Sequence, residues 1–320
     1  MFEGLALIIL WDSKGTTSLW REVEGRALEL ISMKESTKGS LAMLAAALLW
    51  SLGGIFIKLV PWNPLSITGA RGLLGGIVVF IYLRIKKIPL AINKDTIKIA
   101  VSLACVCATF VTANKLTTAA NAIVIQYCAP VYVLLYVAFV QKKKLKPLDI
   151  AVVPITILGV ALCFISQIGK GTLAGDLVAV VSGMFFAAMF IFSEGVSDET
   201  RFNGIMQGQL LTALIGLPVL FATRPAFTTQ AMIGILVLGI FQIGIAYVLY
   251  GVALKSAPIL NCTLLAVIEP LLNPVWVFLF NGENPGIWSL VGGVIVVGVI
   301  TLWYVKDAKS ATPNAGEISA

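Results

Sequence analysis

Glu269 stands in the middle of an apolar stretch, residues 258–280, and is followed directly by Pro270. A charged side chain at the centre of a membrane span costs about 2.5–3.5 kcal/mol on insertion scales. Leu, Ile, Phe and Val each offset only about 0.3–0.6 kcal/mol of that. Such a carboxyl should therefore face protein or water rather than lipid. There it could bind an amino or other cationic group, or carry a coupled proton. Protonated, or paired with Arg71, it could instead lock a helix bundle. Proline removes a backbone N–H and disturbs contact with the carbonyl four residues back, here Ala266. Pro130 does the same to Gln126 in the stretch 119–140. Both stretches are expected to bend or loosen there and bare carbonyls for a ligand or water. A fixed structural kink is the plainer alternative.

Arg71 is the second charge inside an apolar stretch, 65–83. It lies roughly 9 Å from the near end of that stretch at 1.5 Å per residue. It could snorkel to the surface, grip a carboxylate or phosphate, pair with Glu269, or act as a structural or gating charge. Gly69, Gly72 and Gly76 form a small-residue stripe on the same helix, and a Gly72–Gly76 pair permits close helix contact. Trp50, Gln126, Gln242, Tyr247 and Asn273 are further polar or aromatic residues inside apolar stretches, as are Ser51, Asn114, Tyr127, Gln207 and Tyr250. Glu269 and Asn273 are four apart and share a helix face. With a shift of 140 residues, Gln126 and Ala129 fall on the face of Ala266 and Glu269. An amide opposite a carboxylate would give a site with both donors and acceptors, while interhelical hydrogen bonding is the alternative for each residue alone.

Other chemistries lack their residues. The chain has no histidine, which removes His-based nucleophilic catalysis, His metal sites and His proton relays. Its five cysteines all lie in apolar stretches without a CxxC pair. There is no P-loop, no HExxH and no GxSxG elbow. No catalytic residue, metal or cofactor is expected.

The elements that must carry these residues are membrane helices. Of 320 residues, 58% are hydrophobic and 12% charged, against about 25% charged in soluble domains. Ten apolar stretches approach the length of about 20 residues that crosses a bilayer: 41–60, 65–83, 97–114, 119–140, 148–168, 174–193, 204–223, 231–253, 258–280 and 286–305. The net charge of +7 sits in the short connections, which the membrane explains without a nucleic-acid partner. With the N-terminus inside, 18 Lys and Arg fall on the cytoplasmic side and 4 outside, Arg71 completing the 23. Lys142, Lys143, Lys144 and Lys146 fill one connection, whereas the matching one 140 residues later, Asn281 to Gly286, has no basic residue. A repeat whose loops exchange their basic charge is inserted upside down. The expected fold is an all-α polytopic membrane protein of ten transmembrane helices, arranged as two inverted five-helix repeats. Residues 1–38 form a cytoplasmic tail, 39–168 the first repeat, 169–306 the second, and 307–320 a disordered tail. Within 1–38, residues 20–31 could form an amphipathic surface helix, or translation could start at Met33.

The segments Ala113–Pro130 and Ala253–Pro270 share a Lys-x5-Asn pattern before the fourth and ninth stretches. Together with Trp50-Ser51, Arg71, and Glu269-Pro270 followed by Gly282-Glu283, the five-plus-five layout resembles the EamA-like branch of the drug/metabolite transporters over residues 38–306. Where that family has Gly-Glu in its first repeat, this chain has Lys142-Lys143. The resemblance implies a small-metabolite carrier of the cell inner membrane, commonly an exporter, with a central cavity and no single substrate. The expected function is thus a secondary transporter working by alternating access, proton-coupled or exchanging, on a small polar molecule such as an amino acid. Its expected partners are that substrate and the lipid bilayer. The run Ser289, Gly292 and Gly293 would permit a homodimer and equally suits packing within one chain. The alternative is a channel-like or regulatory membrane subunit.

Overall fold

The computed structural model describes residues 35–311, except 118, 164, 166–171 and 282–285. The tail before residue 35, with its amphipathic segment and Met33, lies outside the described residues, as do Gly282 and Glu283. The described residues form helices and their connections, with no strand among them. In chain order these are α1 (35–51), α2 (Gly53–Leu59), α3 (Pro64–Ile85), α4 (Lys94–Leu116), α5 (Ala119–Gln126), α6 (Ala129–Leu135) and α7 (Pro147–Cys163). Then come α8 (Leu173–Ser193), α9 (Asp198–Thr223), α10 (Thr229–Leu236), α11 (Ala246–Ser256), α12 (Ile259–Ala266), α13 (Ile268–Asn281) and α14 (Gly286–Ala311). A π-helical stretch, Tyr136–Val140, continues α6, and a second, Val237–Ile245, joins α10 to α11.

Among the described residues, five helical runs are long and apolar enough to cross a membrane: Pro64–Ile85, Ala122–Val140, Leu173–Ser193, Asp198–Thr223 and Thr229–Ser256. Their outward faces carry large apolar side chains, among them Ile81, Phe139, Leu214, Phe221 and Ile233. A soluble monomer rarely leaves so much apolar surface open; a bundle bathed in lipid must.

Local sequence sets where the helices begin. Asn63 accepts from Leu65 N, and Pro64 opens α3 at a position that needs no N–H donor. Asn93 and Thr96 form a reciprocal capping box on α4. Thr172, Ser197 and Thr228 cap α8, α9 and α10 through their hydroxyls. Two interruptions fall just before prolines. Tyr127 and Cys128 separate α5 from α6 ahead of Pro130, and Val267 separates α12 from α13 ahead of Pro270.

The helices pack in a regular pattern. α3 lies along α9 and also against the π stretch 237–245; α4 lies along α8 and α9; α7 lies along α14. The α3–α9 crossing is backbone on backbone. A Cβ placed on Gly69 would stand 2.4 Å from the carbonyl carbon of Gly216, and one on Gly216 would stand 2.4 Å from Gly69 N. The Gly72–Gly76 pair divides its roles: Gly72 faces the Gln209 carbonyl, while Gly76 faces the Leu210 side chain. In α14, Gly292 packs inside the chain, its carbonyl against Gly159, and a Cβ placed on Gly293 would meet none of the described residues within 4 Å.

Candidate functional site

An acid and a guanidinium set in apolar helices each find a neutral hydrogen-bond partner. Glu269 opens α13 directly after the Val267 break, and its Oε2 accepts a hydrogen bond from the Tyr127 hydroxyl at 2.5 Å. Tyr127 itself sits in the α5–α6 break. The two irregular helices therefore meet through one hydroxyl and one carboxyl. Arg71, on α3, is 8% exposed. Its Nη1 donates to Gln242 Oε1 at 3.4 Å, and no carboxylate of the described residues lies within ion-pair distance of it. Arg71 thus neither snorkels to the surface nor pairs with Glu269.

Gln242 belongs to the π stretch, whose extra residue per turn alters which side chains face inward. Its Nε2 donates to the carbonyl of Trp50 at 3.4 Å, at the Leu52 turn between α1 and α2. Both ends of the amide are therefore engaged, one by the guanidinium and one by a main-chain carbonyl. The next residue, Ser51, accepts from Trp276 Nε1 on α13 at 2.8 Å and donates to Leu48 O at 2.6 Å. These bonds tie the α1–α2 turn to both charge-bearing regions.

Aromatic rings enclose this network. The indole of Trp50 lies 5.2 Å from Tyr247, 5.9 Å from Tyr250 and 6.5 Å from Phe186. Phe186 also stacks edge-on to Tyr127 at 5.7 Å. Tyr250 donates to Met189 O at 2.9 Å, so its hydroxyl is spoken for. Tyr247 is buried within electrostatic reach of both Arg71 and Glu269. Edge-to-face rings at these separations form a stiff wall.

The sequence-derived residues are thus distributed as follows. Glu269, Trp50, Tyr247, Gln242 and Arg71 are brought together. Gln126 is buried one residue from the site, its Nε2 donating to Ser182 Oγ on α8 at 3.0 Å, and it does not meet Glu269. Asn273 lies in α13, with its side chain outside the described residues. Pro130 is buried at the start of α6 and Pro270 at the start of α13. Gln207 bonds Ala91 O in a connection at 2.7 Å, away from these groups. The pairing of Tyr127 with Glu269 escaped the sequence register, and Phe186 had no polar atom to draw attention. The break beside Pro130 was the available signal, because residues at a break lose the helical phase that placed Gln126 opposite Glu269.

A second polar cluster occupies one end of the bundle. Arg201, 2% exposed, donates to Ser193 O at 2.9 Å, Val196 O at 2.7 Å and Asp198 Oδ1 at 2.9 Å. Asp198 Oδ2 takes Lys255 Nζ at 2.7 Å, joining α9 to α11. Asn203 donates to Pro89 O and Asn93 to Thr200, fastening the α3–α4 connection to the same end. Near the opposite ends of these helices, Trp62 Nε1 donates to Ala226 O at 2.9 Å, and Ser66 and Thr223 share a hydrogen bond at 3.2 Å. Asp149, Asp176 and Glu194, near helix ends, accept from Trp303, Thr117 and Gln141.

Comparison with known proteins places these features in a family. Residues 37–165 match the EamA-like transporter family, and residues 173–305 match it again. An uncharacterized transporter of Archaeoglobus fulgidus is 26% identical over 271 residues, covering 83% of this chain and 96% of that protein. An uncharacterized transporter of Bacillus subtilis is 25% identical over 206 residues, covering 62% of this chain and 66% of its own length. A protein of known crystal structure has the same fold, with a TM-score of 0.74 at 18% identity over 86% of this chain and 99% of its own. The two matched regions take in most of the sequence and all of the site, so this membrane protein belongs to the EamA-like transporter family.

Proposed function

We propose that the protein is a secondary transporter of the inner membrane that exports a small zwitterion, such as an amino acid, by alternating access between two inverted five-helix repeats. One observation carries the substrate class. Glu269 and Arg71 carry complementary groups, yet each is hydrogen-bonded by a neutral partner, Tyr127 or Gln242, instead of by the other. Buried charges are expensive unless paired. A molecule with an ammonium and a carboxylate supplies both missing partners at once, the ammonium at Glu269 and the carboxylate at Arg71. The rings of Trp50, Tyr247 and Phe186 would shield the pair from water, and aromatic faces favour a neighbouring ammonium.

The packing supports the repeat. Taken end to end, α1–α2, α3, α4, α5–α6 and α7 give five spans, and α8, α9, α10–α11, α12–α13 and α14 give five more. Exchanging the two sets maps α3 on α9 onto itself, and α7 on α14 onto itself. It maps α4 on α9 onto α10–α11 on α3, which the π stretch provides. The breaks before Pro130 and Pro270 also correspond. Lys142 to Lys146 and the connection near residue 282, which has no basic residue, then face opposite sides, with both termini cytoplasmic. Rocking of one repeat against the other would expose the central charges to each side in turn. The reading needs no catalytic residue, cofactor or nucleic acid.

The test is efflux from liposomes loaded with mixed amino acids and metabolites, read by mass spectrometry at two pH gradients, for wild type and Glu269→Gln. Saturable loss of a zwitterionic class, weakened in the variant, is the expected result. Flux without saturation or counterflow, equal in both proteins, would replace the carrier by a channel-like subunit.

A further inference from the structure

The indole N–H of Trp50 has no hydrogen-bond partner among the described residues, although the side chain is 4% exposed. A buried donor without an acceptor costs about 1–3 kcal/mol, and native structures rarely keep one without a reason. The position of this donor narrows the reason. Its own carbonyl is fastened by Gln242, which also holds Arg71. Its neighbour Ser51 is fastened to Trp276 of the Glu269 helix. Its ring packs on Tyr247, itself buried. The donor is thus fixed on both sides, within the rings that surround the charges.

We infer that Trp50 Nε1 is a specificity-determining donor, which hydrogen-bonds an acceptor atom of the transported molecule, a carboxylate oxygen in the zwitterion case. Resting on the carrier reading above, the inference adds a third contact point to the two charges. Three fixed points, one cation-binding, one anion-binding and one neutral donor, distinguish molecules that two charges alone would treat alike. A carboxylate offers two oxygens, and Arg71 with Trp50 can engage one each. An amine lacking the acid group would satisfy Glu269 and leave Trp50 and Arg71 unfilled.

The decisive variant removes one N–H and nothing else. Trp50→3-benzothienylalanine keeps the ring size and shape and puts sulfur where the N–H was. Transport of the zwitterion by this variant should show KM raised about tenfold, the factor that corresponds to 1.4 kcal/mol. The thermal midpoint should stay level or rise, because the empty protein loses an unpartnered donor. In wild type labelled with 15N-Trp, the indole signal absent from the variant identifies Trp50, and this signal should move when zwitterion is added. An unchanged KM in the variant, or a lowered midpoint with unchanged KM, overturns the Trp50 assignment alone. Failure of wild type to carry any zwitterion overturns the carrier reading and this inference with it, and the wild-type efflux arm separates the two cases.

Discussion

Adding one methyl group at Gly69 should separate the two helices that carry the centre of the fold. The methyl carbon of Gly69→Ala would meet Gly216 C at 2.4 Å, Leu217 N at 2.5 Å and Gly216 Cα at 2.7 Å. Ordinary contact begins near 3.4 Å, so α3 and α9 must part by about 1 Å. The obstructing atoms are main chain, which no rotamer change can move. Overpacking of this kind costs about 1–3 kcal/mol. A 1 Å separation also stretches the Ser66–Thr223 hydrogen bond, 3.2 Å at rest, beyond bonding range, at about 1 kcal/mol. Alanine's better helix propensity offsets about 0.5–1 kcal/mol. The net loss is about 1–3.5 kcal/mol, or roughly 2–7 °C in melting midpoint at about 2 °C per kcal/mol.

Thermal unfolding of the detergent-solubilised protein, with fluorescence as readout, measures this directly. Gly293→Ala is the control, since nothing lies within 4 Å of its would-be methyl; it should match wild type or exceed it slightly. Gly216→Ala should cost about as much as Gly69→Ala, and the double variant less than the sum, because one separation relieves both clashes. A Gly69→Ala midpoint within 1 °C of the Gly293→Ala control would refute the reasoning.

Two further outcomes follow from the polar clusters. Arg201→Gln strips a buried charge from three acceptors and should lower stability by about 3–5 kcal/mol. Lys255→Gln removes the exposed partner of the same Asp198 and should cost under about 1 kcal/mol, most of it screened by salt; equal losses in the two variants by thermal unfolding would refute the distinction. Tyr127→Phe deletes the hydroxyl that holds Glu269 and, at about 1.5–3 kcal/mol for a bond to a charged group, should weaken transport at least about tenfold in the liposome assay. Combined with Glu269→Gln it should add little further loss; full activity of Tyr127→Phe would detach that bond from function.

Much of this was legible in the chain because membrane insertion imposes strict terms on sequence. An apolar helix has to satisfy its backbone internally, so its length and its rare charges are written openly in the residue types. Glu269, Arg71 and the two prolines stood out for that reason. Side-chain pairing was less legible. Helical phase placed Gln126 opposite Glu269, but phase does not survive the break at Tyr127 and Cys128. Gln242 read as a residue open to ligand, whereas the π stretch turns it between Arg71 and the Trp50 carbonyl. The glycine stripe on α3 pointed to a close contact. That Gly69 would make it, with Gly216 of α9, depended on a partner 147 residues away in the chain. No motif marked Arg201, which is buried and held by three acceptors.

The irregular helices explain why the central charges stay apart. Two opposite charges in a medium of low polarity attract strongly, and an uninterrupted bundle would let them close into a buried ion pair. Such a pair would be satisfied internally and of little use to an incoming molecule, because a ligand would first have to break it. Here each charge is occupied by a neutral hydrogen-bonding group presented from an irregular segment. Tyr127 projects from the α5–α6 break and Gln242 from the π stretch. Neutral partners hold a charge more weakly than an opposite charge does, so a zwitterion can displace or join them at modest cost. The breaks and the π stretch therefore do more than bend helices. They set the two neutral contacts of Glu269 and Arg71, which is the condition the proposed zwitterion site would have to meet.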